Sequence, residues 1–145
     1  MYTKIQVTFD AVEPEKLAEF WGLALGYVVE PPPEGFESWE DFARSAGIPE
    51  GGSGDVSSRI DPAGEGPRLY FQRVPDKKSA GVKNRVHLDI GVAGRHVRGE
   101  HRKRLVSEHV ERLVQAGASL AWRTDDVRGS SVTLYDPEGN EFCVH

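Results

Sequence analysis

The chain repeats one pattern of structural signals in its first and second halves. Each copy begins with a strand of alternating apolar and polar residues, continues with an amphipathic helix that ends at a glycine, and closes with further strands. The first copy begins around Ile5 and its helix ends at Gly26, whereas the second begins around Val86 and its helix ends at Gly117. Two βαβββ units of this kind can face each other and enclose one pocket, so the duplication predicts a ligand site without identifying the ligand.

The length and composition predict one soluble globular domain over residues 1–145. A chain of 145 residues buries roughly 70% of its unfolded surface, which is enough for a full core. The longest largely apolar stretch, Trp21–Val29, is far too short to span a bilayer. The single cysteine, Cys143, excludes an internal disulfide, and the start of the chain shows no basic leader or cleavage signal. We therefore expect a cytoplasmic protein with no membrane partner.

The charge balance argues against a nucleic-acid partner. The formal net charge is −5, whereas binding to phosphates normally needs a basic face. One basic stretch, Arg95–Arg104, leads into the second helix. We interpret it as a solvated helix start rather than a polyanion-binding patch, because the overall charge opposes the latter.

Local signals place the helices and strands. Pro14 suits a first helical turn and Gly26 a left-handed stop, and between them an aromatic stripe recurs at helical spacing. The second helix is predicted over Leu105–Ala116, with Val106, Val110, Leu113 and Val114 facing inward. Strands are predicted at 5–9, 27–30, 56–60, 68–74, 86–90, 120–123, 131–135 and 141–145.

An insertion over residues 31–54 interrupts the first copy. It opens with Pro31–Pro33 and closes with Gly51–Gly54, and Ser38 is placed to cap a small helix that carries Trp39 and Phe42. Such excursions often cover ligand sites. The aromatic side chains either form a lid over the site or anchor the insertion to the body of the domain.

Along the predicted strands, polar residues alternate with apolar ones, and these polar residues define the candidate ligand-binding face. If the apolar members face the helices, the opposite faces of the sheets carry the polar members. A sheet face this polar can also be simply solvated, which is common in antiparallel sheets. The residues concerned are Gln6, Thr8, Tyr70, Gln72, His87, Asp89, Cys143 and His145.

Several motifs together resemble the vicinal oxygen chelate superfamily, which includes glyoxalase I, bleomycin-resistance proteins and extradiol dioxygenases. The most specific is the turn and strand Asp136–Phe142 (DPEGNEF), supported by the helix motifs Phe20–Trp21 and Leu25–Gly26. The segments Leu69–Pro75 and Lys83–Asp89 resemble the branch called glyoxalase-like domains. The resemblance covers nearly the whole chain apart from the insertion.

The resemblance implies an α+β fold of two tandem βαβββ modules that form a curved, incomplete barrel around a cleft. Module 1 would cover about residues 1–75, including the insertion at 31–54, and module 2 about residues 85–145. Homodimerisation is a further implication. Metal-using members bind one divalent ion through four strands, and the corresponding positions here are Gln6, Tyr70, His87 and Cys143.

Only two of those positions carry ordinary ligands for this superfamily. Gln6 offers an amide oxygen and His87 an imidazole, so these two are the predicted metal ligands. Tyr70 and Cys143 stand where metal-binding members usually carry His or Glu. The incomplete set makes glyoxalase I chemistry improbable, because that reaction needs a divalent ion and a carboxylate base. The sequence therefore assigns no cofactor, with a divalent metal as the alternative.

The candidate catalytic residues are His87, Tyr70 and Asp89. His87 could transfer a proton, and Tyr70 could donate to an oxyanion or stack on a planar ligand. Asp89 could orient His87, although a spacing of two strand residues, roughly 7 Å, makes direct contact uncertain. Each could instead be an ordinary structural residue of its strand. The predicted substrate-binding residues are Gln6, Thr8, Gln72, Cys143 and Trp39.

Three functional hypotheses follow for a protein whose partner is a small molecule. The first is a lyase or isomerase in which His87 transfers a proton and Tyr70 or Gln6 stabilises an oxyanion. The second is a non-catalytic protein that sequesters an aromatic or cationic drug, by analogy with antibiotic-binding relatives. The third is a divalent-metal dioxygenase or lyase with a reduced ligand set.

Overall fold

The chain folds into two compact units with one four-stranded sheet each. The computed structural model describes residues 3–49, 54–94, 96–126 and 129–145. The units are Met1–Asp76 and Lys77–His145.

Over its described residues, 3–49 and 54–76, the first unit contains four strands and two helices. Its sheet has the order β1-β4-β3-β2. Strand β1 runs parallel to β4, and the other neighbours are antiparallel. The elements are β1 (Gln6–Ala11), α1 (Pro14–Leu25), β2 (Val28–Val29), α2 (Trp39–Ser45), β3 (Val56–Ile60) and β4 (Arg68–Arg73).

In the part of the second unit that the structure describes, there are four strands and one helix. Its sheet has the order β5-β8-β7-β6, again with the first strand parallel to the last and the other neighbours antiparallel. The elements are β5 (Leu88–Ile90), α3 (Gly99–Gln115), β6 (Ser119–Asp126), β7 (Gly129–Tyr135) and β8 (Glu141–Val144).

Both units therefore share one connectivity. In each, a helix follows the first strand and three further strands return to place the last strand beside the first. Parallel neighbours require a long crossover, which the helix and the intervening strands supply. The predicted α+β fold with two βαβββ modules is confirmed. The cleft between the modules that the resemblance implies stays a prediction.

Helix α1 follows the sequence signals closely. Pro14 occupies the first turn, and Gly26 ends the helix in the left-handed conformation with φ of 71°. Leu17 and Trp21 are almost fully buried, and the Trp21 ring lies 5.0 Å from that of Phe9 on β1. The predicted aromatic stripe thus forms the contact between α1 and its sheet.

Helix α3 begins at Gly99, six residues before the predicted start. Its first turns carry charged side chains, with Glu100 3.5 Å from Lys103 and Arg104 3.9 Å from Glu108. Apolar periodicity detects only the part of a helix that packs on a core, so these turns were missed. The prediction that Val114 faces inward was also wrong: its side chain is 45% exposed, because the buried stripe follows Val106, Val110 and Leu113.

The insertion forms the predicted small helix. Ser38 Oγ accepts a hydrogen bond of 3.0 Å from the backbone N–H of Asp41 and so caps α2. The Trp39 indole donates to the carbonyl of Glu30 at 3.0 Å, and its ring lies 5.8 Å from that of Phe42. Residues 51–53, predicted to help close the insertion, lie outside the described residues. Among the helices of the described ranges, none is long and apolar enough to cross a membrane.

Candidate functional site

The first sheet carries a polar face opposite α1. The parallel register pairs Gln6 with Arg68 and Thr8 with Tyr70, and alternation places these four side chains on one side. The intervening residues of β4, Leu69 and Phe71, are fully buried on the other side. The predicted division into a helix-facing face and an open polar face is therefore observed in this unit.

A hydrogen-bonded network around Arg68 organises this face. The guanidinium donates from Nε to both carboxylate oxygens of Glu30 at 2.8 and 3.0 Å, and from Nη2 to Oε2 at 2.5 Å. It also donates from Nη1 to Gln6 Oε1 at 2.7 Å and lies 5.1 Å from the centre of the Tyr70 ring. Ser58 donates to the same Glu30 carboxylate at 2.7 Å.

The Glu30 carboxylate is held in its ionised form by these partners. Burial by itself would raise the pKa of Glu30, but the hydrogen bonds from Arg68 and Ser58 and the positive charge of Arg68 hold this pKa below its ordinary value. The sequence pattern did not predict a site role for Arg68, Glu30 or Ser58. Arg68 could have been found because it lies two strand residues before Tyr70, but its pairing with Glu30 spans 38 positions.

The remaining predicted residues of this face already have polar partners. Gln6 Nε2 donates to Thr8 Oγ1 at 3.2 Å, and Gln72 Nε2 donates to Asp10 Oδ1 at 2.7 Å. Since the carbonyl oxygen of Gln6 accepts from Arg68, a metal ion there would compete with a guanidinium. This arrangement weighs against the predicted metal-ligand role of Gln6.

The second sheet brings three potential metal ligands together. Asp89 on β5 is the direct partner of Cys143 on β8, and His87 lies two residues before Asp89. His87 Nε2 is 3.3 Å from Asp89 Oδ1, so the contact that strand spacing left uncertain does form. The donor atoms of His87, Asp89 and Cys143 all lie within 4.8 Å of one another. We call these three residues the donor cluster.

The donor cluster fits a divalent ion. Nitrogen and oxygen ligands lie about 2.0–2.2 Å and thiolates about 2.3 Å from zinc, so ligands of one ion lie at most about 4.6 Å apart. The His87 and Asp89 side chains are 41% and 54% exposed, and small rotations would bring the three donors within that limit. Thr133 Oγ1 lies 3.3 Å from Cys143 Sγ and can donate a hydrogen bond to a thiolate.

A row of cross-strand partners extends this face beyond the donor cluster. Trp122 on β6 pairs with Thr133 on β7, Thr133 pairs with Cys143, and Cys143 pairs with Asp89. Paired residues point to the same side of a sheet. Trp122 is 45% exposed, and its ring, with Lys83 Nζ 5.8 Å from its centre, lies on the same face as the donors. Trp122 was not among the predicted site residues, although its place in a predicted strand was a usable signal.

A buried carboxylate lies next to the donor cluster on β8. Glu141 is two residues before Cys143 and is 6% exposed. It forms ion pairs with Lys83 and with Lys78, the latter at 3.7 Å, and accepts from the backbone N–H of Asn84 at 3.3 Å. The hydrogen bond from Lys83 holds the pKa of Glu141 below its ordinary value, against the effect of burial.

Two other predicted residues have structural partners. The Trp39 indole is bonded to the Glu30 carbonyl, a contact that supports the anchoring alternative for the insertion. His145 Nδ1 lies 3.2 Å from Arg102 Nη2 on α3, and the His145 backbone pairs with Ile90 and Val92. The predicted substrate-binding role of Trp39 stays a prediction.

Comparison with solved structures identifies the class of fold. The fosfomycin resistance protein FosX from Listeria monocytogenes, in a mutant form complexed with Mn(II) and 1S,2S-dihydroxypropylphosphonic acid, matches with a TM-score of 0.65 at 13% identity, over 100% of this chain and 92% of that one. A glyoxalase/bleomycin resistance protein/dioxygenase family enzyme from Burkholderia phytofirmans PsJN matches with a TM-score of 0.58 at 14% identity, over 97% and 94%. A hypothetical protein from S. aureus matches with a TM-score of 0.60 at 14% identity, over 99% and 96%. The fold is thus that of the vicinal oxygen chelate superfamily.

Comparison with family sequences identifies the branch. The sequence model of the glyoxalase-like domain matches residues 6–145. The chain therefore belongs to the glyoxalase-like domain family, and the resemblance inferred from its motifs is confirmed. Among proteins with curated functions, none matches the chain significantly.

Proposed function

We propose that this protein is an enzyme of the lyase or isomerase type that uses a divalent ion to act on a small molecule at the open face of the second sheet. The observation that carries the proposal is the donor cluster, in which nitrogen, oxygen and sulfur ligands lie within 4.8 Å of one another. The Mn(II) complex of the superfamily member FosX supports a metal-dependent function for this fold. Its phosphonic acid ligand likewise supports a small molecule as the partner.

His87, Asp89 and Cys143 would hold the ion, and Thr133 would stabilise the thiolate form of Cys143 by donating a hydrogen bond. When bound, a divalent ion polarises a carbonyl, hydroxyl or epoxide oxygen of the substrate. The exposure of His87 and Asp89 leaves room for a substrate beside the three protein ligands. The Trp122 ring would contact an apolar part of that substrate.

A metal-free alternative has its own supporting contact. Because Asp89 Oδ1 lies 3.3 Å from His87 Nε2, the carboxylate can orient the imidazole and leave Nδ1 to exchange a proton with a substrate. This arrangement corresponds to the first sequence-based hypothesis. The two functions differ in whether turnover survives removal of metal.

The test is a turnover screen on protein stripped of metal with a chelator and then loaded separately with Zn²⁺, Co²⁺, Mn²⁺ or Mg²⁺. Substrates would include enolisable carbonyl compounds, epoxides and anionic phosphonates. We expect turnover only with a loaded ion and a loss of at least about 100-fold in kcat/KM for His87→Ala. His101→Ala, an exposed histidine on α3, serves as the matched control and should keep full turnover.

The other outcomes identify the alternatives. Turnover that persists after chelation but is lost in His87→Ala would contradict the metal-dependent proposal and favour the metal-free proton transfer. Saturable ligand binding without any product would instead favour a sequestering protein. Tryptophan fluorescence provides the binding signal, and a Trp122→Phe variant shows whether the open face of the second sheet is the binding surface.

A further inference from the structure

We infer that the donor cluster is a thiolate site that favours thiophilic divalent ions, with Zn²⁺ and Co²⁺ bound through Cys143 and with Asp89 as an additional ligand. The inference rests on the proposed ion site and deepens it by naming the class of ion. The ligands of this site include Asp89 and Cys143, whereas the sequence pattern predicts Gln6 and His87.

The backbone register brings the Asp89 and Cys143 side chains together. The two residues are direct partners across the parallel pair β5–β8, and neighbouring strands lie about 4.8 Å apart. Direct partners on adjacent strands point to the same side of the sheet, so the carboxylate and the sulfur share one face. Hydrogen bonding of the backbone therefore places the two side chains next to each other, and small rotations bring their donor atoms into range of one ion.

The chemistry of the three donors determines which ions they prefer. Mn²⁺ and Mg²⁺ prefer carboxylate, carbonyl and water oxygens, whereas a thiolate prefers borderline and soft ions such as Zn²⁺. An imidazole nitrogen and a carboxylate oxygen complete a ligand set that zinc accepts in proteins. The thiolate and Asp89 each carry one negative charge, which together balance a divalent ion. The cluster is thus better matched to zinc than to the manganese found in FosX.

The surroundings favour a metal role for Cys143 over other thiol roles. It is the only cysteine in the chain, so an internal disulfide cannot form. Thr133 Oγ1, 3.3 Å from Sγ, can donate to the sulfur once the proton has left. Cys143 is half-buried and lies on the face that also carries the exposed His87 and Asp89 side chains.

The first experiment is cobalt titration of the metal-free full-length protein. A bound Co²⁺–thiolate pair produces a charge-transfer absorption in the near ultraviolet, and Cys143 is the only thiolate that can give rise to it. We expect one equivalent of Co²⁺ to produce this absorption, and added Zn²⁺ to abolish it by displacement. Cys143→Ser should lose the absorption, whereas the control Asp125→Asn, an exposed carboxylate on β6 of the same sheet, should keep it.

The second experiment measures metal selectivity as the ratio of the dissociation constants for Mn²⁺ and Zn²⁺. Zn²⁺ and Mn²⁺ dissociation constants are obtained by competition with a chromophoric chelator for the wild type, Cys143→Ser and Asp89→Asn. Substitution of a residue that only hydrogen-bonds to a metal ligand typically weakens metal binding by roughly 10–100-fold, so loss of a direct ligand should weaken Zn²⁺ binding at least that much. Mn²⁺ binding should change less in Cys143→Ser, so the preference for zinc should fall by about tenfold or more.

Several outcomes would overturn the inference. Absence of the thiolate absorption at saturating Co²⁺, or Zn²⁺ affinities unchanged in Cys143→Ser, would exclude the sulfur ligand. An unchanged Zn²⁺ affinity in Asp89→Asn would exclude the carboxylate. Circular dichroism of each variant excludes misfolding as the cause of a loss, and the wild-type absorption is a test that needs no variant.

The inference and the proposed function can fail separately. Zinc bound through Cys143 with no metal-dependent turnover on any substrate would contradict the function and leave the inference standing. Turnover that depends on Mn²⁺ and is unaffected in Cys143→Ser would contradict the inference and the ligand role of Cys143, while a metal-dependent enzyme function would still stand.

Discussion

The burial of the Glu141 carboxylate depends on its charged neighbours. Its side chain is 6% exposed, and Lys83, Lys78 and the Asn84 backbone all contact its carboxylate. A buried charge is tolerated only when it is paired and hydrogen-bonded. These contacts attach residues 78–84, which precede β5, to the start of β8. Glu141 therefore stabilises the strand that carries Cys143.

We expect Glu141→Gln to destabilise the protein. The amide keeps the size of the side chain but loses the negative charge that the two lysines pair with, and hydrogen bonds to charged groups contribute about 1.5–3 kcal/mol each. The free energy of unfolding, measured by urea titration, should fall by about 1–3 kcal/mol. Glu111→Gln, at an exposed position on α3, is the control and should change it by less than about 0.5 kcal/mol. Equal effects of the two substitutions would contradict the structural role of Glu141.

The donor cluster shows how far single residues could be assigned from the sequence. His87, Asp89 and Cys143 were all identified as polar members of strand alternations. The approach of Cys143 to the other two was not predictable, because it depends on the pairing of β5 with β8 across more than 50 residues. The same holds for Arg68 and Glu30, whose ion pair joins β4 to the residue after β2.

Helix α1 and its C-terminal glycine illustrate what local signals determine at the scale of an element. Pro14 and Gly26 mark the two ends, and the observed helix runs from Pro14 to Leu25. Helix α3 was predicted less well, because its first turns are stabilised by surface charges that leave no apolar period. Strand β5 is shorter than predicted, and Val86, counted among its apolar members, is 81% exposed. Local patterns thus predicted the ends of α1, where a proline and a left-handed glycine fix the backbone. They failed at the starts of α3 and β5, where the side chains are exposed to solvent.

We expect Gly26→Ala to destabilise the first unit through backbone conformation alone. Gly26 has a φ of 71°, and an added Cβ would meet no atom within 4 Å. An L-residue in the left-handed conformation costs roughly 1–2 kcal/mol. Gly54→Ala is the control, because its Cβ would lie in ordinary contact at 4.0 Å from Arg73 and its φ is not left-handed. The free energy of unfolding of both variants is measured by urea titration followed by circular dichroism. An unchanged free energy of unfolding in Gly26→Ala would contradict this account.

At the scale of the whole molecule, several carboxyl groups couple stability to pH. The Ser57 hydroxyl, together with Arg59, holds the pKa of Glu15 below its ordinary value. The pKa values of Glu30 and Glu141 are also lowered. A group with a lower pKa in the folded state than in the unfolded state binds fewer protons when folded. Its contribution is therefore present above the ordinary value of 4.5 and is lost as the pH falls through the folded value.

We expect the urea midpoint of the wild type to be nearly constant from pH 7 to about pH 5 and to fall progressively below about pH 4.5. Glu30→Gln should lower the midpoint at pH 7 and flatten the decline, because this variant lacks one of the groups that must be protonated. Glu34→Gln, an exposed carboxyl in the insertion, should follow the wild-type curve. Identical profiles of urea midpoint against pH for the wild type and Glu30→Gln would show that the hydrogen-bonded network around Arg68 does not contribute to the pH dependence of stability.

The architecture of the whole molecule was the part most accessible from the sequence. The repeated order of strand, helix and three strands appears in both halves, and the turn at Asp136–Asn140 marks the last strand. In that turn the Asp136 carboxylate accepts hydrogen bonds from the backbone of Glu138 and Asn140. These local contacts explain why a short motif is diagnostic of the fold while it says nothing about the ligand.

The pairing of the first strand with the last in each unit has a consequence for biosynthesis. A ribosome delivers β1 about 60 residues before β4, its parallel partner, and delivers β5 about 50 residues before β8. Each nascent unit therefore exposes an unpaired first strand until its final segment emerges, a condition that favours chaperone binding or aggregation. The chain of the first unit ends at Asp76, so that unit can complete its sheet while the second is still being translated. Translation that stalls shortly before β8 would leave the Asp89 carboxylate without its Cys143 partner.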